Sequence, residues 1–298
     1  MTLGKRFKRI VAGAALMTAA LTGSGQASAR APQGPALWKI ADADTTIYLF
    51  GTIHTLPENT QWDVPPVAKA IAQSDTLVLE LLMDHQEQSA ALVGQLGVSP
   101  GLPPLADRVP PEKRATLQKL IAGSGFPPAF FNSLENWAAA VILTDITFIQ
   151  AGFSPDRGLE NQLTAIYKQA NKPIVGLETA AQQLGFLDAL PEDAQRQLLL
   201  STVEDPEQAK AELRGMLHAW LGGDVNSIAT SFDKETKQSP ALRQALLLKR
   251  NAAWAQWIAN RLQKPGTVFI AVGAGHLAGS DSLQQMLKAR GIRTQRVN

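Results

Sequence analysis

Two of the four histidines in this 298-residue chain share one local context, Gly51-Thr52-Ile53-His54 and Gly273-Ala274-Gly275-His276. Imidazoles at such turns can ligate a metal or move a proton near neutral pH. Gly51, Gly273 and Gly275 would allow tight turns with positive φ and close backbone approach to a metal or an anion. Glu80, within the apolar run Thr76–Leu82, and Glu178, after Pro173–Leu177, place carboxylates in comparable settings. Two imidazoles and two carboxylates form a nitrogen/oxygen donor set suited to Zn, Mn, Co or Fe(II). Taken singly, each has a plainer reading: a hydrogen-bonded structural histidine, or a glutamate tolerated at a sheet edge. The repeated Gly-x-x-His context lifts His54 and His276 above it. His85, in the polar stretch Asp84 to Ser89, and His218, in a helical stretch, lack that context and read as structural or solvated.

Arg250 extends the set. Leu247, Arg250, Trp254, Trp257 and Ile258 fall on one helical stripe. An arginine in such a stripe either snorkels past the tryptophans into water or is buried against a carboxylate or a bound anion. The second reading puts it beside Glu178 or a substrate oxyanion, where it would be an electrophilic stabiliser. Glu160 follows the stretch Gly152 to Gly158, and by its local pattern alone it reads as a solvated helix face. Trp38, Trp62, Trp137 and Trp220 read as core or rim residues. The chain carries no Gly-x-Ser-x-Gly elbow, P-loop, Rossmann glycine fingerprint or His-Glu-x-x-His helix.

These residues must be positioned by a sheet. Ala36–Ile40 and Thr45–Phe50 flank Asp42-Ala43-Asp44 as a β-hairpin. Thr76–Leu82, Pro173–Leu177 and Thr267–Val272 read as buried strands, and Ile292–Val297 as a terminal one. Helices are expected over Pro65–Ser74, Ser133–Ile149, Asp156–Ala170, Pro191–Leu200, Pro206–Leu221, Pro240–Leu262 and Ser280–Arg290. The fold expected is α/β, a small central mixed or parallel sheet with an N-terminal β-hairpin and a large helical insertion. Open sheets of this kind gather ligands at the carboxyl ends of their strands, where His54, Glu80, Glu178 and His276 would converge.

The first 29 residues read as a secretory signal peptide: basic Lys5, Arg6, Lys8 and Arg9, an apolar run from Ile10 to Leu21, and the Ala27-Ser28-Ala29 cleavage site. The alternative is an uncleaved single-helix anchor, for which the apolar run is short. Residues 30–298 would then form one domain in an exported protein, periplasmic or secreted, with no stable membrane span after cleavage. The chain contains no cysteine, so disulfides and thiolate metal sites are excluded, and its 45% hydrophobic residues supply the core. The formal charge of +2 rests on the basic leader. No basic patch argues for nucleic acid.

The segments Leu37–Pro57, Thr76–Leu81, Lys172–Leu184, Lys249–Trp254 and Gly266–Gly279 together resemble the TraB/GumN family, in order and over essentially the whole mature chain. That family is grouped with the Tiki proteins and more distantly with ChaN and erythromycin-esterase folds. Tiki members are metal-dependent proteases that use two Gly-x-x-His motifs and an acidic residue. The resemblance implies a ChaN/erythromycin-esterase-like fold, a metal site at His54, Glu80 and His276, and further characteristic positions at Glu178 and Arg250. It also raises Glu160, which falls where the family places an acidic residue. Lys249 departs from relatives that carry an acid before the Arg-Asn pair. The expected function is metal-dependent hydrolysis of a peptide or ester bond outside the cytoplasm, with Mn, Co or Zn held by His54, His276 and one or more of Glu80, Glu160 and Glu178. The substrate would be a peptide or small molecule. The alternatives are a non-catalytic protein that sequesters a peptide signal or haem, and an accessory of exopolysaccharide production.

Overall fold

A computed structural model describes residues 34–82, 86–236 and 239–298. The leader over residues 1–29, the first part of the N-terminal arm and His85 lie outside the described residues. Six strands form one mixed sheet in the order β4-β3-β5-β2-β1-β6. The expected hairpin is β1 (Leu37–Ala41) against β2 (Thr45–Thr52), with Leu37 opposite Phe50. Asp42 closes it by accepting from the Asp44 and Thr45 amides at 3.2 and 2.8 Å, an Asx turn.

β2 then runs parallel to β5 (Gly266–Gly273), with Thr52 paired to Gly273. This register is what brings the two Gly-x-x-His turns together: both leave neighbouring strands at the same edge. On the other side of β5 lie β3 (Thr76–Leu79) and β4 (Ile174–Gly176), both parallel. The four parallel strands therefore present their carboxyl ends, and the residues just past them, along one edge.

The continuous apolar runs are explained by two-sided burial. Successive side chains alternate between faces, so Leu77 and Leu79 join Phe50 and Phe269 on one layer. Val78 joins Ile47, Leu49 and Ile270 on the other. β4 departs from the buried strand expected over Pro173–Leu177, because it is an edge strand with Val175 39% exposed. The terminal strand is shorter than expected, only β6 (Gln295–Arg296), paired with β1.

The helices between β3 and β5 build a separate apolar cluster that includes Trp137, Ile142, Leu198 and Leu199. Its central member, Asn136–Gln150, is buried on nearly all sides, which is why its sequence is apolar around the whole circumference. The single helix expected over Pro240–Leu262 is interrupted: α-helix at Pro240–Arg243, a π-turn at Gln244–Leu248, and α-helix again at Lys249–Arg261. The π-turn ends at Leu248, two residues before Arg250, and single turns of this kind recur at functional sites. No helix among the described residues is long and apolar enough to cross a membrane.

Candidate functional site

Four of the sequence-singled residues stand at the strand ends. His54 lies two residues past β2, Glu80 directly past β3, Glu178 two residues past β4 and His276 three past β5. The Glu178 amide donates to the Glu80 carbonyl at 2.9 Å, extending the parallel pairing far enough to set the two carboxylates side by side. Arg250 reaches them from its helix. Nη2 donates to Glu80 Oε2 at 2.6 Å and to Glu178 Oε2 at 2.9 Å, and Nε donates to Glu178 Oε1 at 2.9 Å. Nη1 faces His276 Nε2 at 3.1 Å and the Leu246 carbonyl at 3.4 Å. Of the two readings of the arginine, the structure realises burial against carboxylates. Trp254 covers the group, its ring 4.8 Å from the guanidinium carbon and 4.4 Å from the His276 ring, a cation–π arrangement.

Each imidazole is held from behind. His276 Nδ1 lies 2.7 Å from Asn251 Oδ1, so the amide oxygen takes an N–H from the ring and the lone pair is left on Nε2. Asn251 is itself fixed, donating to the Asp281 carbonyl at 2.8 Å. His54 Nδ1 stands 2.8 Å from Glu160 Oε1, an ion pair whose alignment falls short of a full hydrogen bond. Glu160 reaches it because residues 154–159 are laid along the His54 turn. Leu56 and Ser154 exchange backbone hydrogen bonds, and the Leu159 amide donates to the Ile53 carbonyl at 3.2 Å. Gly158 permits this approach, since a Cβ there would come within 2.2 Å of the His54 carbonyl oxygen. Glu160 is thus buried, which overturns the solvated reading of its local pattern and agrees with the position the family resemblance gave it.

The motif glycines serve a different purpose from the one expected. None of Gly51, Gly273 and Gly275 has positive φ. They are small because something lies against them: Ala274 Cα at 3.0 Å from a Cβ on Gly51, Glu80 Oε1 at 3.2 Å from one on Gly273, and the Phe232 ring at 2.1 Å from one on Gly275. The Gly273 position also lies 3.5 Å from His54 Nε2 and 3.6 Å from His276 Cδ2. Glu80 and both imidazoles therefore surround one point, and the Gly273 amide donates to Glu80 Oε1 at 2.5 Å.

The charges follow from these contacts. Burial would push Glu80 up, but Arg250 and then the neighbouring imidazoles bring it down to about 2. Burial would push His54 down, and Glu160, with help from Glu80, raises it instead to about 9. His276 is lowered to about 3, by burial and by the Arg250 cation. Burial raises Glu178 despite its arginine partner. Glu160 is lowered, because His54 outweighs its burial.

Sequence reasoning missed Asn251, although it sits beside Arg250 in the Arg-Asn pair. It also missed Asp145, which is fully buried with neither oxygen bonded among the described residues. Burial pushes Asp145 well above the usual carboxylate range, and His54 opposes that weakly. An acid in an apolar helix gives no local sign of such a place. His218 is exposed in a helix as expected, and Trp38, Trp62, Trp137 and Trp220 are buried.

The fold and this site define the class of protein. The TraB/PrgY/gumN family model matches residues 36–296, and the chain belongs to that family. It is 27% identical over 241 residues to Uncharacterized protein YbaP of Escherichia coli (strain K12), covering 81% of this chain and 87% of that relative. The protein of the same name from Shigella flexneri matches to the same extent. No solved structure matches the chain.

The donor set bears on a metal. Both histidines turn Nε2 inward while Nδ1 is held by a carboxylate or an amide, the arrangement that orients metal-ligating imidazoles. Glu80 Oε1 lies 3.8 Å from His276 Nε2, a separation that two ligands of one ion can span. Arg250 presently takes Glu80 Oε2 and faces His276. Among the described residues no three acidic or histidine side chains already form a closed ligand group. By donor type and orientation His54, Glu80 and His276 would suit a divalent ion once Arg250 gave up His276 Nε2.

Proposed function

We propose that this protein is a metal-dependent hydrolase of peptide or ester bonds that works outside the cytoplasm. The observation that carries the reading is the pair of imidazoles, each braced at Nδ1 and each turned by Nε2 toward Glu80 at the floor of one pocket. The ordered basic, apolar and small-residue leader supports export.

A bound Mn, Co or Zn would supply Lewis acidity and an acidified water at neutral pH. His54, Glu80 and His276 would hold it. Glu160 and Asn251 keep the two rings in place. Arg250 keeps Glu80 deprotonated and aims its Oε1 inward; its Nε and Nη2 donors are committed to Glu80 and Glu178, and an ion on His276 Nε2 would release Nη1 to face a substrate oxyanion. Glu178, raised by burial and held beside Glu80 by Arg250, is the remaining carboxylate that would accept and return a proton.

The test is metal analysis of the purified mature chain, followed by a peptide and ester cleavage screen with added Mn, Co or Zn. The expected result is one divalent ion per chain, lost in His54→Ala and His276→Ala together with all cleavage. Saturable binding of a peptide without products would replace the enzyme by a sequestering protein. Absence of both ion and products would sink the reading.

A further inference from the structure

The pocket above the site is walled almost entirely by hydrocarbon, and its few charged groups lie together on the floor. Its apolar walls are Val141, Phe186, Leu187, Phe232, Leu246 and Leu247. Four different helical segments contribute, so the lining is a product of tertiary packing and not of one amphipathic stripe. Leu246 and Leu247 come from the π-turn, one helical turn before Arg250. The Phe232 ring is pressed onto Gly275, which fixes that wall against the His276 turn. Phe186, Phe232 and Leu246 remain partly exposed to the opening.

The charges lie only on the floor. Apart from the two histidines, Arg250 is the one cation lining the pocket among the described residues, and it donates to Glu80, Glu178, the Leu246 carbonyl and His276. Glu80 in turn is satisfied by Arg250 and the Gly273 amide. On the walls only Thr144 and Gln183 are polar, and Gln183 Nε2 is directed to Glu80 Oε2 at 3.4 Å. A lysine or glutamine side chain held between these walls, clear of the His54 Nε2 on the floor, would lose its hydration with no partner in return. An aliphatic or aromatic side chain would bury its surface favourably.

We infer that the group lodged beside the reacting bond is an uncharged aliphatic or aromatic side chain, so that the substrates are apolar peptides or acyl compounds. This rests on the hydrolase reading for the word substrate, but the pocket's preference is separable from turnover.

The measurement is isothermal titration of the full mature chain with three end-blocked probes, N-acetyl-leucinamide, N-acetyl-glutaminamide and N-acetyl-lysinamide. They share a backbone and differ in side chain, so a metal on the floor treats them alike. The leucine probe should bind at least tenfold tighter than either of the others. Leu246→Lys and, separately, Phe186→Glu should each erase that preference, with circular dichroism confirming that the variant is folded. Equal binding of all three probes by the wild type, or no saturable binding of the leucine probe, would overturn the inference. So would a folded Leu246→Lys and a folded Phe186→Glu that both keep the preference. Failure of the hydrolase reading shows separately, as tight leucine-probe binding in a protein that yields no cleavage products.

Discussion

The His54 and His276 halves of the site start from the same four-residue pattern on adjacent parallel strands, paired from Thr45–Gly266 to Thr52–Gly273. Their surroundings then diverge. His54 meets a carboxylate behind its ring and keeps a fifth of its side chain exposed, and it is raised to about 9. His276 meets a neutral amide behind and a guanidinium in front, and it falls to about 3. One histidine is therefore cationic at neutral pH and the other neutral. The motif delivers an imidazole to the strand end; the residue behind it and the charge before it decide its protonation. A metal would have to displace a proton from the first and the Arg250 N–H from the single lone pair of the second.

The largest test of this contrast is Arg250→Met. It leaves Glu80 and Glu178 buried together without their counter-ion, which should cost about 3–5 kcal/mol in urea denaturation at neutral pH. A loss under about 1 kcal/mol would mean that the guanidinium does not organise the His276 half. Adding Glu178→Gln should restore part of the loss.

The pH dependence comes next. His54 is raised above its ordinary 6.5 to about 9, so its contribution is complete below pH 6.5 and fades as pH climbs through 9. The linkage is worth about 3 kcal/mol over that interval. His276 and Glu80 act on the acid side. The folded chain resists protonating His276 until about pH 3 and Glu80 until about pH 2, so stability falls as the unfolded chain takes up those protons first. In the metal-free protein Glu160→Gln should take away the His54 share of the alkaline decline, leaving the acid decline and the separate loss that comes from ionising buried Asp145. Ring proton resonances of His54 that still titrate near pH 9 in Glu160→Gln would break the assignment.

The smallest effect should come from Asn251→Asp, which gives His276 the kind of partner that His54 has. Its pKa should rise by about 1–2 units, read from the ring proton resonances across a pH titration. The rise should stay short of the His54 value because Arg250 remains at 3.1 Å from Nε2. A His276 that does not move would show that the guanidinium alone sets it.

Much of the architecture was legible beforehand because its signals are local. The β-hairpin, the buried runs of β3 and β5 and the Pro206–Leu221 helix follow from periodicity and from turn and capping residues such as Asp42 and Asp205. The weak places were an edge strand, where burial is one-sided, and the helix after Pro240, where a π-turn leaves no mark in periodicity. The glycines were legible as necessary, but for the wrong cause, because crowding by Phe232 or Glu80 comes from elsewhere in the chain.

By itself the sequence determined which residues reach the strand ends. A run of apolar residues ending in Gly-x-x-His or in a glutamate carries its own address, since strand direction and the parallel sheet put His54, Glu80, Glu178 and His276 at one edge. Only the tertiary structure decided how they pair. Glu160 is 106 residues from His54, and Arg250 is 170 residues from Glu80. Ion pairs at 2.6–2.9 Å depend on the meeting of separate elements to within a fraction of an ångström. Hydrophobic periodicity carries no information at that scale. The same holds for Asp145, whose burial without a partner is set by the helices packed around it.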